Sequence, residues 1–421
     1  MKMKLFDYQK EILEKTKDRN KVAMFLDMGL GKTFVGSEKL IQLNEKINLV
    51  VCQKSKINDW YHHFCEFYGV GNVIFNLTNK TEFDQFINFP TCDQNLIGII
   101  NYDLIFRRPE LLMLEDFTLL LDESSQIQND KAKRTKFILK LKSKNNILLS
   151  GTPVSGKYEN LWSQAQLIGW NISKRVYAKQ FIKFKEIQVE GLPIKIVDGY
   201  KNVDRLKQKF RDNGAIFLKT EEVLDLPDQN FINISCELNP EYKKFKKSRI
   251  ISINNKDYVG SRILTFRLYL RMMAGLFNKN KLEAFKDLVN STNDRLIVFY
   301  NFKEELNLLK ENCSRENISY VNGDIKDLNA YENFEDSITF IQYQAGAMGL
   351  NLQKANKIIY FSPTESSELF EQSKKRIHRV GQDKHCFYYL LITRNSIEEK
   401  IYENLKQRRN YTNELFKKDI S

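Results

Sequence analysis

Two stretches of the chain alternate short apolar runs with helical patterns, and a different pattern separates them. In both stretches the runs are continuously apolar, which is typical of parallel strands that helices cover on both faces. The sequence therefore predicts two successive α/β lobes, each built on a parallel sheet. The predicted strands are Val22–Leu26, Asn48–Cys52, Asn95–Ile100, Phe117–Leu121 and Asn146–Leu149 in the first lobe, and Leu296–Tyr300, Ile338–Tyr343, Lys357–Phe361 and Phe387–Ile392 in the second.

Residues 173–290 are instead rich in Lys, Phe, Asn and Arg, with helical periodicity in 201–211 and 258–290. They predict a mostly helical segment that extends from the first lobe and then connects the two. We place the N-terminal lobe in residues 1–228, with 173–228 as a partly helical extension. Residues 229–421 then hold the helical connector and the C-terminal lobe, whose core begins near residue 286.

Composition limits the kind of protein and of partner. Lys and Arg number 66 against 53 Asp and Glu, a net charge of +13, which suits a polyanionic partner such as nucleic acid. A lysine-rich surface or an AT-rich genome would also produce this excess. Six scattered cysteines without a C-x-x-C pair favour neither disulfides nor zinc. The sequence shows no signal peptide and no membrane-length apolar run, so we expect a cytoplasmic protein without a membrane partner.

A glycine-bearing loop follows the first predicted strand and precedes a helical pattern. It reads Asp27, Met28, Gly29, Leu30, Gly31, Lys32, Thr33. Backbone N–H groups at such a turn bind phosphate, the lysine reaches the β- and γ-phosphates, and the threonine hydroxyl can ligate Mg²⁺. The strict phosphate-loop pattern requires glycine at position 26, where this chain has leucine, so an unrelated glycine turn stays open on this segment alone.

Acidic and hydroxyl residues end two further predicted strands. Asp122 and Glu123 follow one of them, where a carboxylate can hold Mg²⁺ and its neighbour can orient the attacking water. Ser150 and Thr152 follow the other and can hydrogen-bond this acidic pair. Taken singly, each motif could be an ordinary solvent-exposed turn.

Gln372, Arg376 and Arg379 have the spacing i, i+4, i+7, which predicts one shared helical face. Two arginines on one face can stabilise charge on a transferring phosphoryl group. The alternative is a basic, solvated helix face, which the neighbouring Lys374 and Lys375 would also form.

The order of the motifs resembles that of Swi/Snf-type ATPases of the superfamily-two helicases, over nearly the whole chain. The most diagnostic motif is Arg376-x-His378-Arg379-x-Gly381-Gln382. The other segments that carry the resemblance are Leu5–Gln9, Asp27–Thr33, Val51–Trp60, Asn101–Tyr102, Asp122–Ile127, Leu149–Pro153, Leu161–Trp162, Leu224–Pro227, Ile297–Phe302 and Ala345–Leu352.

The resemblance implies two RecA-like lobes that bind ATP and Mg²⁺ between them. It implies that Gln9 reads adenine, that Lys32 and Thr33 contact phosphate and Mg²⁺, and that Asp122 holds Mg²⁺ through water. Glu123 would orient the hydrolytic water, Ser150 and Thr152 would couple hydrolysis to lobe movement, and Arg376 and Arg379 would be arginine fingers. Gly349 and Gln372 are further expected nucleotide-site residues, and the expected nucleic-acid contacts are Lys54, Ser55, Asn101, Tyr102 and Asn351.

The chain departs from the family pattern at a few positions. Ser124 and Ser125 follow the acidic pair where the family has a small residue and histidine, which leaves one link between the lobes in doubt. Gln53 replaces a usual proline and Ala347 a usual glycine. Since no chromatin-targeting module is visible, we expect a compact motor of the bacterial or phage kind rather than a nucleosome remodeller.

The expected function is a DNA-dependent ATPase that translocates on duplex or branched DNA. Three alternatives stay open: a strand-separating or branch-migrating helicase in replication or recombination, an RNA-dependent ATPase, and a non-catalytic ATP-gated clamp. One chain carries every residue that a complete site needs, and the oligomeric state is open.

Overall fold

The computed structural model describes residues 4–90, 93–154, 156–189, 192–346 and 350–416. The chain divides into two compact units, Met1–Val223 with Asn410–Ser421, and Leu224–Arg409. The division falls five residues before the boundary that we place at 228/229. A membrane-spanning helix is not found among the described residues.

The first unit contains a seven-stranded sheet in the order β3-β4-β2-β5-β6-β1-β9, in which every pair of neighbours is parallel. Its strands are β1 (Lys21–Leu26), β2 (Ile47–Cys52), β3 (Asn72–Asn76), β4 (Asn95–Asn101), β5 (Thr118–Asp122), β6 (Asn145–Ser150) and β9 (Ala215–Leu218), and a hairpin outside the sheet is formed by β7 (Ile182–Val189) and β8 (Leu192–Tyr200). Its helices are α1 (Asp7–Lys15), α2 (Lys32–Leu43), α3 (Ile57–Tyr68), α4 (Lys80–Ile87), α5 (Tyr102–Ile105), α6 (Lys133–Ile138), α7 (Trp162–Leu167), α8 (Lys174–Phe181) and α9 (Val203–Asp212).

The second unit contains another seven-stranded sheet, in the order β10-β18-β17-β13-β16-β14-β15, parallel except for the short edge strand β15. Its strands are β10 (Gln229–Cys236), β13 (Leu296–Tyr300), β14 (Ile318–Val321), β15 (Lys326–Asp327), β16 (Ile338–Gln342), β17 (Lys357–Tyr360) and β18 (Cys386–Thr393), with a hairpin of β11 (Ile250–Ile253) and β12 (Lys256–Val259). Its helices are α10 (Pro240–Ser248), α11 (Ile263–Gly275), α12 (Lys279–Asn290), α13 (Lys303–Glu311), α14 (Asn329–Asn333), α15 (Tyr343–Gly346), α16 (Ser367–Lys374) and α17 (Ile397–Phe416). Helix α17 belongs to this unit as far as Arg409.

All nine predicted strands are confirmed, because each is a central strand with both faces covered. Residues Val22–Leu26 of β1, for example, have no exposed surface. Two α/β lobes built on parallel sheets are therefore the observed fold class.

The segment between the lobes has more strand than its composition predicts. Helices α8 to α12 lie in it, but so do two antiparallel hairpins, and β9 and β10 are edge strands of the two sheets. The hairpin β11–β12 turns at Asn254 and Asn255, whose φ angles are 50° and 59°. Asparagine tolerates this left-handed conformation, and a two-residue turn of this kind matches the twist of paired strands. The Asn-Asn pair was therefore a readable hairpin signal.

Candidate nucleotide site and nucleic-acid groove

The first-unit motifs follow the carboxyl ends of parallel strands and therefore share one edge of the sheet. Strands β5, β6 and β1 are neighbours, so the acidic pair, the Ser150 segment and the phosphate loop lie side by side. Strands β3, β4 and β2 continue the same sheet beside β5. Ligands of open α/β sheets bind outside this edge.

The phosphate loop turns on two glycines with left-handed backbone. Gly29 has φ 88° and Gly31 has φ 68°, and Gly31 is the N-cap of α2. The first N–H groups of that helix have no partner within the helix and can receive an anion. Lys32 begins the helix, and its Nζ donates to the carbonyl of Leu26 at 3.2 Å. Thr33 follows it in the first turn of α2.

Gln9 lies directly against this loop. Its Nε2 donates to the Leu30 carbonyl at 3.1 Å, and its Oε1 accepts from the Phe6 backbone N–H at 3.0 Å. A Cβ added to Gly31 would lie 2.4 Å from the Gln9 Nε2 atom. A side chain at position 31 would therefore require the Gln9 amide to move from its place against the loop.

Thr220, to which the sequence analysis gives no role, fixes the start of the loop. Thr220 follows β9, and its hydroxyl donates to Asp27 Oδ2 at 2.9 Å. The other carboxylate oxygen of Asp27 accepts from the Met28 N–H at 2.8 Å. Sequence reasoning missed this contact because its two partners are 193 residues apart.

Two side chains, one in the helix after β2 and one directly after β4, contact Asp122. Trp60 of α3 donates its indole N–H to Asp122 Oδ2 at 2.8 Å, and the Tyr102 hydroxyl donates to the Asp122 carbonyl at 2.8 Å. Burial, followed by the adjacent Glu123 carboxylate, raises the pKa of Asp122 to about 6, while Trp60 and Lys32 oppose that rise. Asp122 is thus held at both its side chain and its backbone.

Glu123 has a positive φ of 53°, which is unusual for a residue with a side chain and is a strain found at functional sites. The Ser150 hydroxyl donates to Glu123 Oε2 at 3.2 Å and accepts from the Thr152 N–H at 3.2 Å. Thr152 is buried, and its hydroxyl oxygen has no hydrogen-bond partner among the described residues. Ser150 therefore contacts both Glu123 and Thr152.

Ser124 and Ser125, which depart from the family pattern, are both buried. The Ser124 hydroxyl donates to Gln164 Oε1 at 2.8 Å, and Gln164 Nε2 donates to the Pro153 carbonyl at 2.8 Å. In this chain a serine and a glutamine thus connect the acidic pair with the Ser150–Pro153 segment inside the first unit.

A polar groove of about 640 Å³ opens at the ends of β2, β3 and β4. Lys54 and Asn101 line it, and Ser55 lies next to Lys54 in the same exposed turn. Tyr102 lies elsewhere, because its side chain is buried and donates to the acidic pair. Further lining residues are Ile57, Asn58, Asn76, Thr78, Asp103, Leu104 and Arg107.

In the second unit, the prediction that Gln372, Arg376 and Arg379 share a helical face is wrong. Helix α16 ends at Lys374, so only Gln372 is helical and the two arginines lie in the turns that follow. The local spacing is overridden by tertiary hydrogen bonds. The backbone N–H of Leu352 donates to the Arg376 carbonyl at 3.1 Å.

Gln382 holds these turns in place. Its Nε2 lies 3.1 Å from the Gln353 carbonyl oxygen, 2.8 Å from that of Ala355 and 3.1 Å from that of Ile377. His378 Nε2 lies 2.9 Å from the Pro227 carbonyl oxygen. His378 and Gln382, two of the most diagnostic residues of the motif, therefore contact backbone carbonyl groups of other segments.

Both arginines contact the segment that contains Asn351. Arg379 Nη1 donates to Asn351 Oδ1, and Arg376 Nη1 lies 3.4 Å from the Leu350 carbonyl oxygen. Burial lowers the pKa of Arg379 from its usual value. Gln372 is buried and donates to Glu368 at 3.3 Å. Gly349 and Ala347 lie outside the described residues.

The first-unit residues fit a magnesium nucleotide. A Cβ at Gly31 would displace the Gln9 amide, and a Cβ at Gly151 would meet the Lys32 ammonium at 3.1 Å. No group of three or more His, Cys, Asp or Glu able to hold a metal occurs in the described part of the chain. Magnesium usually takes only one or two carboxylates together with phosphate oxygens, so the absence of a larger cluster is compatible with a magnesium nucleotide.

The sheet, the loop and the acidic pair define an α/β protein of the class that binds nucleotide phosphates. Residues 8–280 match the SNF2-related domain, and residues 280–381 match the helicase conserved C-terminal domain. The first match covers more than half of the chain, so this chain belongs to the SNF2-related family. The resemblance drawn from its motifs is confirmed.

Relatives match nearly the whole chain. It is 24% identical to the ISWI chromatin-remodeling complex ATPase ISW1 of Saccharomyces cerevisiae over 93% of this chain and 38% of that protein. It is 23% identical to the putative ATP-dependent helicase/translocase YwqA of Bacillus subtilis over 93% of this chain and 46% of that protein. The chain therefore spans less than half the length of these curated relatives.

Among solved structures, the chain is similar to the Sulfolobus solfataricus SWI2/SNF2 ATPase core in complex with dsDNA. The identity is 21% and the TM-score is 0.47, and the likeness covers 98% of this chain and 93% of that one.

Proposed function

We propose that the protein is a DNA-dependent ATPase that translocates on duplex DNA. The observation that carries this proposal is the double attachment of Asp122. Trp60 and Tyr102 come from the segments that form the polar groove, and both donate to Asp122 at 2.8 Å. A groove for the polymer and a site for the nucleotide are thus joined by two direct hydrogen bonds.

In the proposed reaction the first unit binds and orients. The loop N–H groups and Lys32 bind the phosphates, Gln9 contacts the base, and Asp122 with Thr33 would hold Mg²⁺. The metal supplies charge that stabilises the leaving phosphate oxygens. Glu123 orients the attacking water, and the Ser150 hydroxyl donates a hydrogen bond to the Glu123 carboxylate at 3.2 Å. Ser150 and Thr152 are proposed to couple hydrolysis to movement of the protein, and the Thr152 N–H donates to the Ser150 hydroxyl at 3.2 Å.

We assign Arg376 and Arg379 to the charge that develops on the transferred phosphoryl group. Their guanidinium groups lie against the Leu350–Asn351 segment, so a change in that segment would move them. Asn351 and the neighbouring Gly349 are proposed to transmit polymer contacts to these arginines. Gln372 is proposed as a further nucleotide-site residue.

Duplex DNA is proposed as the polymer on the family membership and on the charge. The relatives include a chromatin-remodeling ATPase and a putative helicase/translocase, and the chain has a net charge of +13. Lys54, Asn101 and Arg107 in the groove suit a phosphate backbone. Ser55 extends the same exposed turn.

The test is a titration of ATP hydrolysis with duplex DNA, single-stranded DNA and RNA. We expect duplex DNA to raise the turnover most, and we expect Lys32→Ala to abolish hydrolysis with every polymer. Turnover that no polymer changes would overturn the proposal. Stimulation by RNA alone would make the protein an RNA-dependent ATPase, and polymer binding without hydrolysis would make it an ATP-gated clamp.

One observation favours strand separation as a second candidate. The hairpin β7–β8 forms its own two-stranded sheet, and Phe184, Leu192 and Ile194 on it are 48%, 68% and 44% exposed. An exposed apolar hairpin can separate stacked bases. Displacement of a labelled strand from forked and Holliday-junction substrates, lost in a Phe184→Ser/Ile194→Ser variant, would support it. No displacement by the unaltered protein would exclude it.

A further inference from the structure

More than half of the net positive charge of the chain lies in one short segment of the second unit. Residues 240–271, here called the basic segment, contain nine Lys and Arg and two Asp and Glu, for a net charge of +7. The whole chain of 421 residues has +13. A charge this concentrated produces a local field that a uniformly lysine-rich surface lacks.

The basic segment is folded, and its fold turns the lysines outward. Helices α10 and α11 and the hairpin β11–β12 pack around one apolar cluster that includes Tyr242, Phe245 and Tyr258. Since α10 buries Tyr242 and Phe245, the opposite side of this helix faces solvent. Lys243, Lys244 and Lys247 are exposed on that side, and we call them the lysine face.

The lysine face has no neutralising partner among the described residues. No carboxylate there lies within 4.0 Å of the ammonium group of Lys243, Lys244 or Lys247. Three lysines elsewhere in the same unit are paired instead. Lys286 lies 3.0 Å from Glu283, Lys303 lies 3.2 Å from Asp324, and Lys354 is paired with Glu332.

We propose that the lysine face is a second binding surface for duplex DNA, which contacts the phosphate backbone without reading sequence. This inference rests on the proposed function. It adds a contact in the second unit to the groove of Lys54 and Asn101 in the first. Ammonium groups with no carboxylate nearby are free to replace the counterions of a phosphate backbone, and that release favours binding. Point charges on flexible stems suit backbone contacts rather than base recognition.

The experiment compares two triple variants that lose the same charge. One is Lys243→Gln/Lys244→Gln/Lys247→Gln, and its matched control is Lys286→Gln/Lys303→Gln/Lys354→Gln. Binding of a labelled duplex is measured by fluorescence anisotropy between about 50 and 200 mM salt. Losing three phosphate contacts should reduce the slope of log K against log salt by about 2.7. The control should keep nearly the full slope.

Two further readouts separate the outcomes. ATP turnover at saturating duplex should be unchanged in the lysine-face variant, while the duplex concentration for half-maximal turnover rises about tenfold or more. Equal slopes in the two variants would overturn the inference while leaving the proposed function intact. An unaltered protein that neither binds duplex nor is stimulated by it would overturn the proposed function itself.

The basic segment also exposes Ile263 and Leu264, at 79% and 81%, and basic surfaces beside apolar ones also suit anionic bilayers. Sedimentation with phosphatidylserine vesicles therefore accompanies the duplex titration. If the lysine-face variant loses vesicle binding but binds duplex normally, the lysine face binds membranes rather than DNA and the inference is wrong.

Discussion

A buried ion pair joins two helices of the second unit, and it supports a quantitative prediction. Lys281 of α12 and Glu398 of α17 have 0% and 1% of their side chains exposed. The ammonium nitrogen lies 2.6 and 2.7 Å from the two carboxylate oxygens. Glu398 also accepts the backbone N–H of Thr393 at 2.9 Å. Lys281→Met would keep the apolar stem and leave the carboxylate buried without its cation.

Breaking a fully buried pair from one side costs about 3–5 kcal/mol. Lys281→Met should therefore lower the free energy of unfolding of the second unit by that amount. Lys281→Met/Glu398→Gln should recover most of the loss, because the buried charge is gone and the amide oxygen can still accept from Thr393. The matched control is Lys286→Met on the same helix, whose exposed pair with Glu283 is worth about 0–1 kcal/mol.

Each unit can be followed by its own signal. All three tryptophans, Trp60, Trp162 and Trp170, lie in the first unit, so their fluorescence reports that unit during urea unfolding. Hydrogen exchange of α12 and β18 reports the second. The prediction is early exchange in the second unit with an unchanged tryptophan transition. If Lys281→Met costs no more than Lys286→Met, the argument from the buried pair is refuted.

Four further predictions concern Gly31, Trp60, Arg379 and His63. Gly31→Ala should weaken ATP binding more than tenfold in a nucleotide titration, because its Cβ would lie 2.4 Å from the glutamine amide above the loop. Trp60→Phe should raise the Mg²⁺ concentration for half-maximal hydrolysis about tenfold or more, since a hydrogen bond to the charged Asp122 is worth about 1.5–3 kcal/mol. Arg379→Ala should lower turnover by about 10³ or more and leave duplex binding nearly unchanged. Burial lowers the pKa of His63 to about 4, so its neutral form is favoured on folding. Stability measured by denaturant titration should fall by up to about 3 kcal/mol between pH 6.5 and 4, and His63→Gln should flatten that fall.

The first two of these predictions have controls, and the last two have outcomes that would contradict them. Gly71 has a similar φ of 82°, but a Cβ there would meet nothing within 4 Å, so Gly71→Ala should leave ATP binding unchanged. Trp60→Phe keeps an aromatic ring beside Phe64, on which Trp60 stacks at 5.6 Å, and nucleotide binding without Mg²⁺ should therefore be normal. Normal turnover in Arg379→Ala, or an unaltered pH dependence in His63→Gln, would contradict those two assignments.

The sequence predicts the sheets well because a central parallel strand must be apolar on both faces. A continuous apolar run such as Leu296–Tyr300 is typical of a strand that is buried on both faces. Edge strands and hairpins carry no such requirement. Strand β3 and the hairpin β7–β8 are not among the predicted strands, because an exposed face can hold polar residues and the run is then not continuously apolar.

The site was predictable in its motifs and in the hydrogen bond between Ser150 and Glu123, but not in its other contacts. Lys32, Asp122 and Ser150 stand at strand ends, where the parallel sheet brings them to one edge. The helical spacing of Arg376 and Arg379 was misleading, because hydrogen bonds from distant segments end α16 before either arginine. Local periodicity describes a helix only where tertiary contacts agree with it.

The attachment of Asp122 bears on how a polymer could control hydrolysis. Helix α3 contributes Ile57 and Asn58 to the groove and Trp60 to the carboxylate. Asn101 lines the same groove, and the next residue, Tyr102, bonds the Asp122 carbonyl. Since both bonds are 2.8 Å long and partly buried, a shift of the groove walls must either move Asp122 or break a bond to it. Under the proposed function, the groove can therefore act on the nucleotide site within the first unit, and Trp60→Phe/Tyr102→Phe tests this route because it removes both bonds. If duplex DNA stimulates that variant as strongly as the unaltered protein, the coupling runs elsewhere.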